Sequence, residues 1–203
     1  MNRARVSIFP LPGALLLPGT ELPLHIFEPR YRAMIQDAMA RDRRIGMIQP
    51  RGEGMKPPLF DMGCLGHIRH IEALDDGRFN IVLKGLARFR VVRELDVSTA
   101  FRQVEAEVEQ EPQDEVLSAA ERAALEIESR RFAEALGYVV DWTAVSRLDD
   151  MSLVNGIAQV VPFDPAAKQT LLEADSLNER SERIIQLMQI VGRADPDGGA
   201  TLQ

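Results

Sequence analysis

ELPLHIFEPRYRAMIQDAM, residues 21–39, begins as an extended segment and continues as a helix. Residues 22–27 are predicted to be extended. Pro29 suits the first position of a helix, where its missing N–H costs no hydrogen bond. Beyond it, apolar side chains recur at helical spacing, at Tyr31, Met34, Ile35, Ala38 and Met39. The stretch therefore predicts one helix placed among strands.

Short strands are predicted on both sides of this helix, over residues 6–9, 45–49, 66–74, 78–83 and 103–109. Asp76-Gly77 fits a two-residue primed turn that joins two of these strands into a hairpin. Residues 51–61, with two glycines and two prolines, fit a loop. Apolar and polar residues alternate in the last strand, which is typical of a strand with one face in water. Several such strands with one helix predict a small antiparallel barrel that is partly open.

The composition changes at residues 109–115, a polar run with one proline, and only helices are predicted after it. We therefore predict a β-barrel domain over residues 1–111 and a helical domain over residues 112–203. Side-chain caps mark the helix starts, at Ser118 with Glu121, at Asp164 before Pro165 and at Ser176 with Glu179. About four helices are expected, and the chain from Ala194 onward is expected to fray.

Composition limits the classes of protein to which the chain can belong. With 203 residues and 45% hydrophobic content, it is long enough for one or two domains with a buried core. Its apolar stretch at residues 11–24 is interrupted by prolines and glycines, which argues against a signal peptide or a membrane helix. Cys64 is the only cysteine, so no internal disulfide can form. A soluble, cytoplasmic protein is expected.

Charge is distributed unevenly along the chain, whose net charge is -7. Residues 1–110 carry 16 basic and 14 acidic side chains, whereas residues 111–203 carry 8 and 17. Neither half is strongly basic, so the electrostatic footprint of a nucleic-acid-binding protein is missing.

Several short motifs, in a fixed order, carry a family likeness. They are Phe9-Pro10-Leu11, Leu17-Pro18-Gly19, Leu22-Pro23-Leu24, Ile26-Phe27-Glu28-Pro29-Arg30-Tyr31, Gly63-Cys64-Leu65-Gly66-His67-Ile68 and Gly85-Leu86-Ala87-Arg88-Phe89-Arg90-Val91. Residues 160–162 and 168–173 add to them in the second half. The series extends over about residues 6–190 and resembles the LON substrate-binding domain, the amino-terminal domain of Lon proteases.

This resemblance implies a fold and a function. The family's fold is α+β, a PUA-like antiparallel pseudo-barrel with one inserted helix, followed by a helical bundle. In Lon proteases this region helps to recognise substrates, while other domains hydrolyse ATP and cleave peptide bonds. The chain contains no G-x-x-x-x-G-K-[ST] phosphate loop. It is therefore expected to be a stand-alone, bacterial-type relative without ATPase or protease domains, which is not an enzyme and needs no cofactor.

The function predicted from this likeness is recognition of proteins or peptides. The expected ligand is an unfolded chain, an apolar segment of a partner protein or a component of a protease, and no membrane is involved. The alternative is an RNA-binding module, because PUA-like folds often contact RNA. The charge argues against RNA, as do two tyrosines and one tryptophan, which provide few rings for bases to stack on.

Cys64, His67 and His70 are the first candidates for a chemical site. On one strand, Cys64 and His70 share a face and His67 points to the other, so the three cannot close a tetrahedral metal site. His25 is the one other histidine, and nothing in the sequence brings it near. No G-x-S-x-G nucleophile motif occurs. These residues are interpreted as ordinary strand residues, with neither a metal site nor a catalytic site.

The motif residues are assigned structural roles, with a binding rim as the alternative for residues 28–31. Glu28 is expected at the helix start, where a negative charge suits the helix dipole. Arg30 is expected to pair with a carboxylate, and Tyr31 to pack in the core. The full set interpreted as structural is Pro18, Gly19, Phe27, Glu28, Arg30, Tyr31, Gly85 and Arg88.

A candidate binding surface is predicted around the 51–61 loop. Flexible thioether side chains suit surfaces that bind varied apolar partners. We predict that this surface is an apolar lip formed by Met55, Leu59, Phe60 and Met62. The alternative is a loop folded down onto the barrel.

Overall fold

The computed structural model describes residues 2–109 and 115–194. The chain forms two compact units. The barrel unit combines Met1–Gln113 with Asp164–Glu173, and the helical unit combines Asp114–Phe163 with Ala174–Gln203. The predicted boundary between residues 111 and 112 lies outside the described residues.

Six strands and one helix build most of the barrel unit. They are β1 (Asn2–Pro10), β2 (Glu21–Ile26), α1 (Pro29–Met39), β3 (Arg44–Pro50), β4 (Leu59–Ala73), β5 (Phe79–Glu94) and β6 (Gln103–Val108). The strand order is β2-β5-β4-β3-β1-β6, and β5 also pairs with β6. That additional pairing closes five strands into a barrel and leaves β2 as an added strand along the first half of β5. The α+β fold with one inserted helix is confirmed.

One strand pair departs from the antiparallel barrel that we predicted. β1 and β3 are parallel, with Ile8 opposite Gly46, whereas the other pairs between described strands are antiparallel. Parallel neighbours need a long crossover connection. Here β2 and α1 lie between the two strands in the chain and provide that connection.

Glycines in β3 and β4 make space for one phenylalanine in the barrel core. The Phe89 side chain is fully buried, and a Cβ atom added to Gly46 or Gly63 would lie 2.8 or 2.5 Å from its ring. The buried side chains that form a cluster with Phe89 are all apolar: Val6, Ile8, Ile48, Leu65, Val104 and Ala106. Gly63 opens one of the quoted motifs, and packing space explains why a glycine is needed there.

The hairpin between β4 and β5 differs from the two-residue turn that we predicted. The Gly77 N–H donates to the Leu74 carbonyl (2.9 Å), and the Leu74 N–H donates to the Arg78 carbonyl (2.9 Å), so the loop has three residues, 75–77. A primed turn at Asp76-Gly77 needs a positive φ at both residues. Of these two residues only Gly77 has one, at 79°. A left-handed glycine after an ordinary turn is a common three-residue hairpin loop.

Helix α5 (Pro165–Leu172) belongs to the barrel unit, so the prediction of one continuous helical domain is wrong for this segment. Buried amide groups explain its position. Gln49 Nε2 donates to the Pro165 carbonyl (2.9 Å), and Gln169 Nε2 donates to the Met62 carbonyl (3.2 Å). Burying polar groups without partners is costly. These bonds therefore fix α5 against β3 and β4.

The helical unit contains α2 (Ala119–Ala135), α3 (Trp142–Val145), α4 (Asp150–Val160) and α6 (Leu177–Ala194). With α5, the described residues contain five helices after the strands, one more than the four expected, because α3 is a single turn that the sequence pattern did not reveal. The segment predicted to fray lies mostly beyond Ala194, outside the described residues. Among the residues that are described, no helix is long and apolar enough to cross a membrane.

Candidate functional site

A cleft of about 210 Å³ opens on the barrel unit. Its walls come from the end of β1, the first turn of α1, the loop over residues 51–58 and the segment over residues 94–102. Apolar groups line much of it: Pro10, Tyr31, Met55, Leu95, Val97, Ala100 and Phe101. Arg30, Lys56, Glu94, Thr99 and Arg102 supply its polar groups. We name it the Tyr31 cleft.

Tyr31 is part of both the core and the cleft. Its side chain is buried, with its ring centroid 4.2 Å from that of Phe9, and the Arg30 guanidinium lies 4.5 Å from the centre of the Tyr31 ring. Burial raises the pKa of the Tyr31 phenol above its ordinary value. Arg30 in turn donates from Nε to Glu28 Oε2 (2.9 Å). Tyr31 is thus packed in the core, Glu28 and Arg30 form a half-exposed ion pair, and Arg30 and Tyr31 also line the cleft.

Glu94 joins the two sides of the cleft rim. Its carboxylate accepts bonds from Arg102 Nε (2.9 Å) and Arg102 Nη2 (2.8 Å) and pairs with Lys56 Nζ (3.3 Å). The hydrogen bonds from Arg102 are the main reason that the pKa of the Glu94 carboxyl lies below its ordinary value. Arg102 Nη1 also donates to the Pro57 carbonyl (2.9 Å). The 51–58 loop is thus anchored at Lys56 and Pro57.

The predicted apolar lip does not form one surface. Met55 is 94% exposed and lines the Tyr31 cleft. Met62 is 2% exposed, but it pairs with Arg90 and therefore lies on the face of β4 opposite the Phe89 cluster, on the strand to which Gln169 of α5 donates a hydrogen bond. Leu59 packs against the core cluster, and the Phe60 ring lies beneath the Arg51 guanidinium at 5.0 Å. The loop is therefore shorter than predicted, and within the predicted lip only Met55 reaches the cleft.

A second surface, which the sequence reading missed, lies on the outer face of β2. Phe27, interpreted as structural, is 59% exposed, and its ring stacks on His25 at a centroid distance of 6.1 Å. His25 Nδ1 lies 2.7 Å from Asn80 Oδ1, which fixes the imidazole. Pro23 and His70 line a shallow depression of about 370 Å³ beside them. Side chains of a strand alternate between its two faces, so Pro23, His25 and Phe27 lie on the same face. This alternation is the sequence pattern from which the surface could have been predicted.

Comparison with known proteins identifies the family. The model of the ATP-dependent protease La (LON) substrate-binding domain matches residues 5–189. The chain belongs to this family. The LON domain described here is 27% identical over 196 residues to Lon protease 2 of Myxococcus xanthus and 24% identical over 197 residues to Lon protease of Escherichia coli K12. These alignments cover 90% and 93% of the chain but 23% and 25% of the two relatives, so the chain spans about a quarter of their length.

Two solved structures share the fold of this LON domain. A Lon N-terminal domain protein from Xanthomonas campestris superimposes with a TM-score of 0.69 at 20% identity, over 90% of this chain and 98% of that chain. The N-terminal domain of the Mycobacterium avium complex Lon protease gives a TM-score of 0.63 at 21% identity, over 92% and 98%. At sequence identities of 20% and 21%, these similarities are evidence for a shared fold alone.

The remaining motif residues of the LON domain lie in packed turns and strands. Gly85 meets the Gly19 turn, and a Cβ atom at Gly85 would lie 2.1 Å from the Leu17 carbonyl oxygen. Pro18 is buried beside them, and Gly19 has a φ of 83°. Arg88 is buried and donates to the Leu172 carbonyl (3.2 Å) at the end of α5.

Two of the histidines of the LON domain, His25 and His70, line the same depression beside β2, whereas Cys64 and His67 do not line it. Cys64 is 1% exposed, and its thiol lies 3.7 Å from the Leu65 carbonyl oxygen. His70 lies on the exposed outer face, and His67 is half-buried. Within residues 2–109 and 115–194, no group of three or more histidine, cysteine, aspartate or glutamate side chains is arranged to hold a metal ion.

Proposed function

We propose that this LON domain is a non-catalytic recognition module that binds apolar segments of partner polypeptides in the Tyr31 cleft. The observation that carries the proposal is the cleft itself, which combines aromatic and aliphatic walls with one almost fully exposed methionine at its mouth. Membership of a family of substrate-binding domains supports the same function.

Cleft size favours a peptide side chain over a metabolite. Small-molecule sites usually enclose roughly 300–1,000 Å³, and this cleft has about 210 Å³. It has room for one or two side chains of an extended segment. Met55 is unbranched and flexible, so it can adapt to different apolar side chains. A site of this kind recognises apolar character rather than one sequence.

The polar rim carries little charge that a ligand could use. Arg102 and Lys56 share the carboxylate of Glu94, and Arg30 is held by Glu28. Each of the three cationic side chains that line the Tyr31 cleft therefore already has a carboxylate partner. The RNA-binding alternative therefore has less support from this surface than peptide binding.

Binding in a groove is also favoured over strand addition. Closure between β5 and β6 leaves β2 as the strand with an open side among the described strands. β2 has six residues, and Pro23 in its middle has no N–H to donate to an added strand. Prolines on edge strands are a common protection against unwanted strand pairing.

The proposal is tested by fluorescence anisotropy with a labelled apolar peptide taken from an unfolded protein. Burying a methionine side chain contributes roughly 1.5–3 kcal/mol, so Met55→Lys should weaken binding about tenfold or more. Val139→Lys is the matched control, because Val139 is fully exposed in the helical unit and the charge change is the same. Equal affinity of the wild type and Met55→Lys, or equal loss in both variants, would rule out the cleft as the peptide site.

A further inference from the structure

A second cavity of about 260 Å³ lies on the barrel unit and shares no lining residue with the Tyr31 cleft. Three arginines from three different elements line it: Arg5 from β1, Arg41 from the segment that follows α1, and Arg44 from β3. Ser7 and Gln103 add a hydroxyl and an amide. We name it the arginine cavity.

Positive charge exceeds negative charge in the arginine cavity. Asp42 is the one carboxylate that lines it, and the nearest Arg44 nitrogen is 3.9 Å away. Arg41 pairs with Asp37 at 3.1 Å. Arg5 contacts the amide oxygen of Gln103, a neutral acceptor, and forms no ion pair with any carboxylate in the described part of the chain. The three guanidinium groups therefore have two carboxylate partners, Asp42 inside the cavity and Asp37 outside it.

The turn that follows α1 sets the spacing of these arginines. Arg43 lies between Asp42 and Arg44 with a φ of 59°, the one positive value at a non-glycine residue in the described chain. Its N–H donates to the Ala38 carbonyl (2.9 Å), which closes the end of α1. The chain therefore reverses between Arg41 and Arg44, and both side chains reach the same cavity.

We propose that the arginine cavity binds a small oxyanion that carries a phosphoryl group. Guanidinium groups form paired, charge-assisted hydrogen bonds with phosphate oxygens. The Ser7 hydroxyl can donate to a remaining oxygen, while Gln103 accepts from Arg5 and donates to Thr99, which positions the Arg5 guanidinium. Its volume exceeds that of one phosphate, so a phosphate ester with a small attached group also fits.

Flanking carboxylates favour a small anion over a nucleic-acid backbone. Glu105 and Glu107 of β6 pair with Arg3 on the neighbouring strand, and Glu105 also pairs with Arg93. These acidic groups interrupt any continuous basic track beside Arg5. A polyanion would have to pass them, whereas a single phosphoryl group would not.

The test is a titration with inorganic phosphate and with phenyl phosphate, followed by amide chemical shifts in NMR spectra at low salt. We expect saturable shifts near Ser7 and Arg44, with affinity reduced at least tenfold in Arg5→Gln and in Arg44→Gln. Arg69→Gln is the control, because Arg69 forms an exposed ion pair with Glu21 and lines neither cavity. Thermal unfolding of each variant checks that it is folded.

Three outcomes would overturn the assignment. The first is the absence of saturable shifts with both probes, and the second is an equal loss in Arg69→Gln. The third is tighter binding of an RNA oligonucleotide that Arg5→Gln abolishes, which would assign the cavity to nucleic acid. Each outcome is independent of the Met55→Lys result, since the two cavities share no residue.

Discussion

Phe89 fills the barrel core because β3 and β4 each place a glycine against its ring. The sequence predicted a strand over residues 78–83, which covers the first part of β5 and ends before Phe89. It could not predict which residues of the neighbouring strands meet Phe89, since register between strands is set by turns and bulges. The register between β5 and β6 shifts between Val91 and Arg93, and no local sequence pattern predicts this shift.

The Gly63→Ala variant tests this packing. The added Cβ would lie 2.5 Å from both the Met47 carbonyl oxygen and the Phe89 ring, so backbone and ring must both move. We expect the free energy of unfolding to fall by about 3 kcal/mol, the upper end of the usual range for overpacked cores. Urea denaturation measures it.

The control for that variant is Gly156→Ala in α4. An added Cβ has no neighbour within 4 Å there, and alanine is the better helix former, so a gain of about 0.5–1 kcal/mol is expected. Equal stability of Gly63→Ala and the wild type would show that Phe89 does not pack against β4 as described.

The 51–58 loop is an element held by charge rather than by apolar burial. Its contacts with the rest of the barrel include the Lys56 pair with Glu94 and the Arg102 bond to the Pro57 carbonyl. Composition alone predicted a loop at this place. The anchoring could not be predicted, because Glu94 and Arg102 lie far along the sequence and only the closed sheet brings them beside the loop.

Glu94 should make the stability of the chain depend on pH. Its folded-state pKa lies below the ordinary value of 4.5, so its contribution to stability is present above that pH and is lost as pH falls through the lowered pKa. Glu94→Gln should be less stable than the wild type at pH 7, and the difference should shrink below about pH 4.5. Urea denaturation at several pH values from 7 to 3 measures both curves.

Glu53→Gln serves as the reference for this pH series. Glu53 is an exposed residue of the same loop and does not line the Tyr31 cleft. Its substitution removes one carboxylate from the same loop and leaves the contacts of Glu94 with Arg102 and Lys56 in place. A constant difference between Glu94→Gln and the wild type at all pH values would contradict the assigned role of Glu94.

At the scale of the whole molecule, each of the two units consists of two separate segments of the chain. It builds the strands, continues into the helical unit, returns to the barrel unit as α5 and then ends its described part in α6. The family likeness and the helix caps did not predict this return. The reason is that α5 is fixed by Gln49 and Gln169, two amides 120 residues apart, which no local sequence pattern connects.

Truncation tests whether the barrel depends on α5. Residues 1–113 expressed alone should lose much of the dispersion of their NMR spectrum, because the Gln49 amide and the Met62 carbonyl lose their partners. The same fragment joined to residues 164–173 through a glycine-serine linker should recover it. Equal dispersion of the two proteins would show that the barrel folds without α5.

The pairing of β1 with β6 also has a consequence for synthesis on the ribosome. Asn2 lies opposite Val108 in the closed sheet, so β1, the first of the six described strands, needs β6, the last of them, as a neighbour. At roughly 5–20 residues per second, β1 remains without this neighbour for about 5–20 s. During that interval its free edge is open to other nascent chains. Slower elongation would lengthen this exposure, and chaperone binding to the nascent chain would be most useful before β6 emerges.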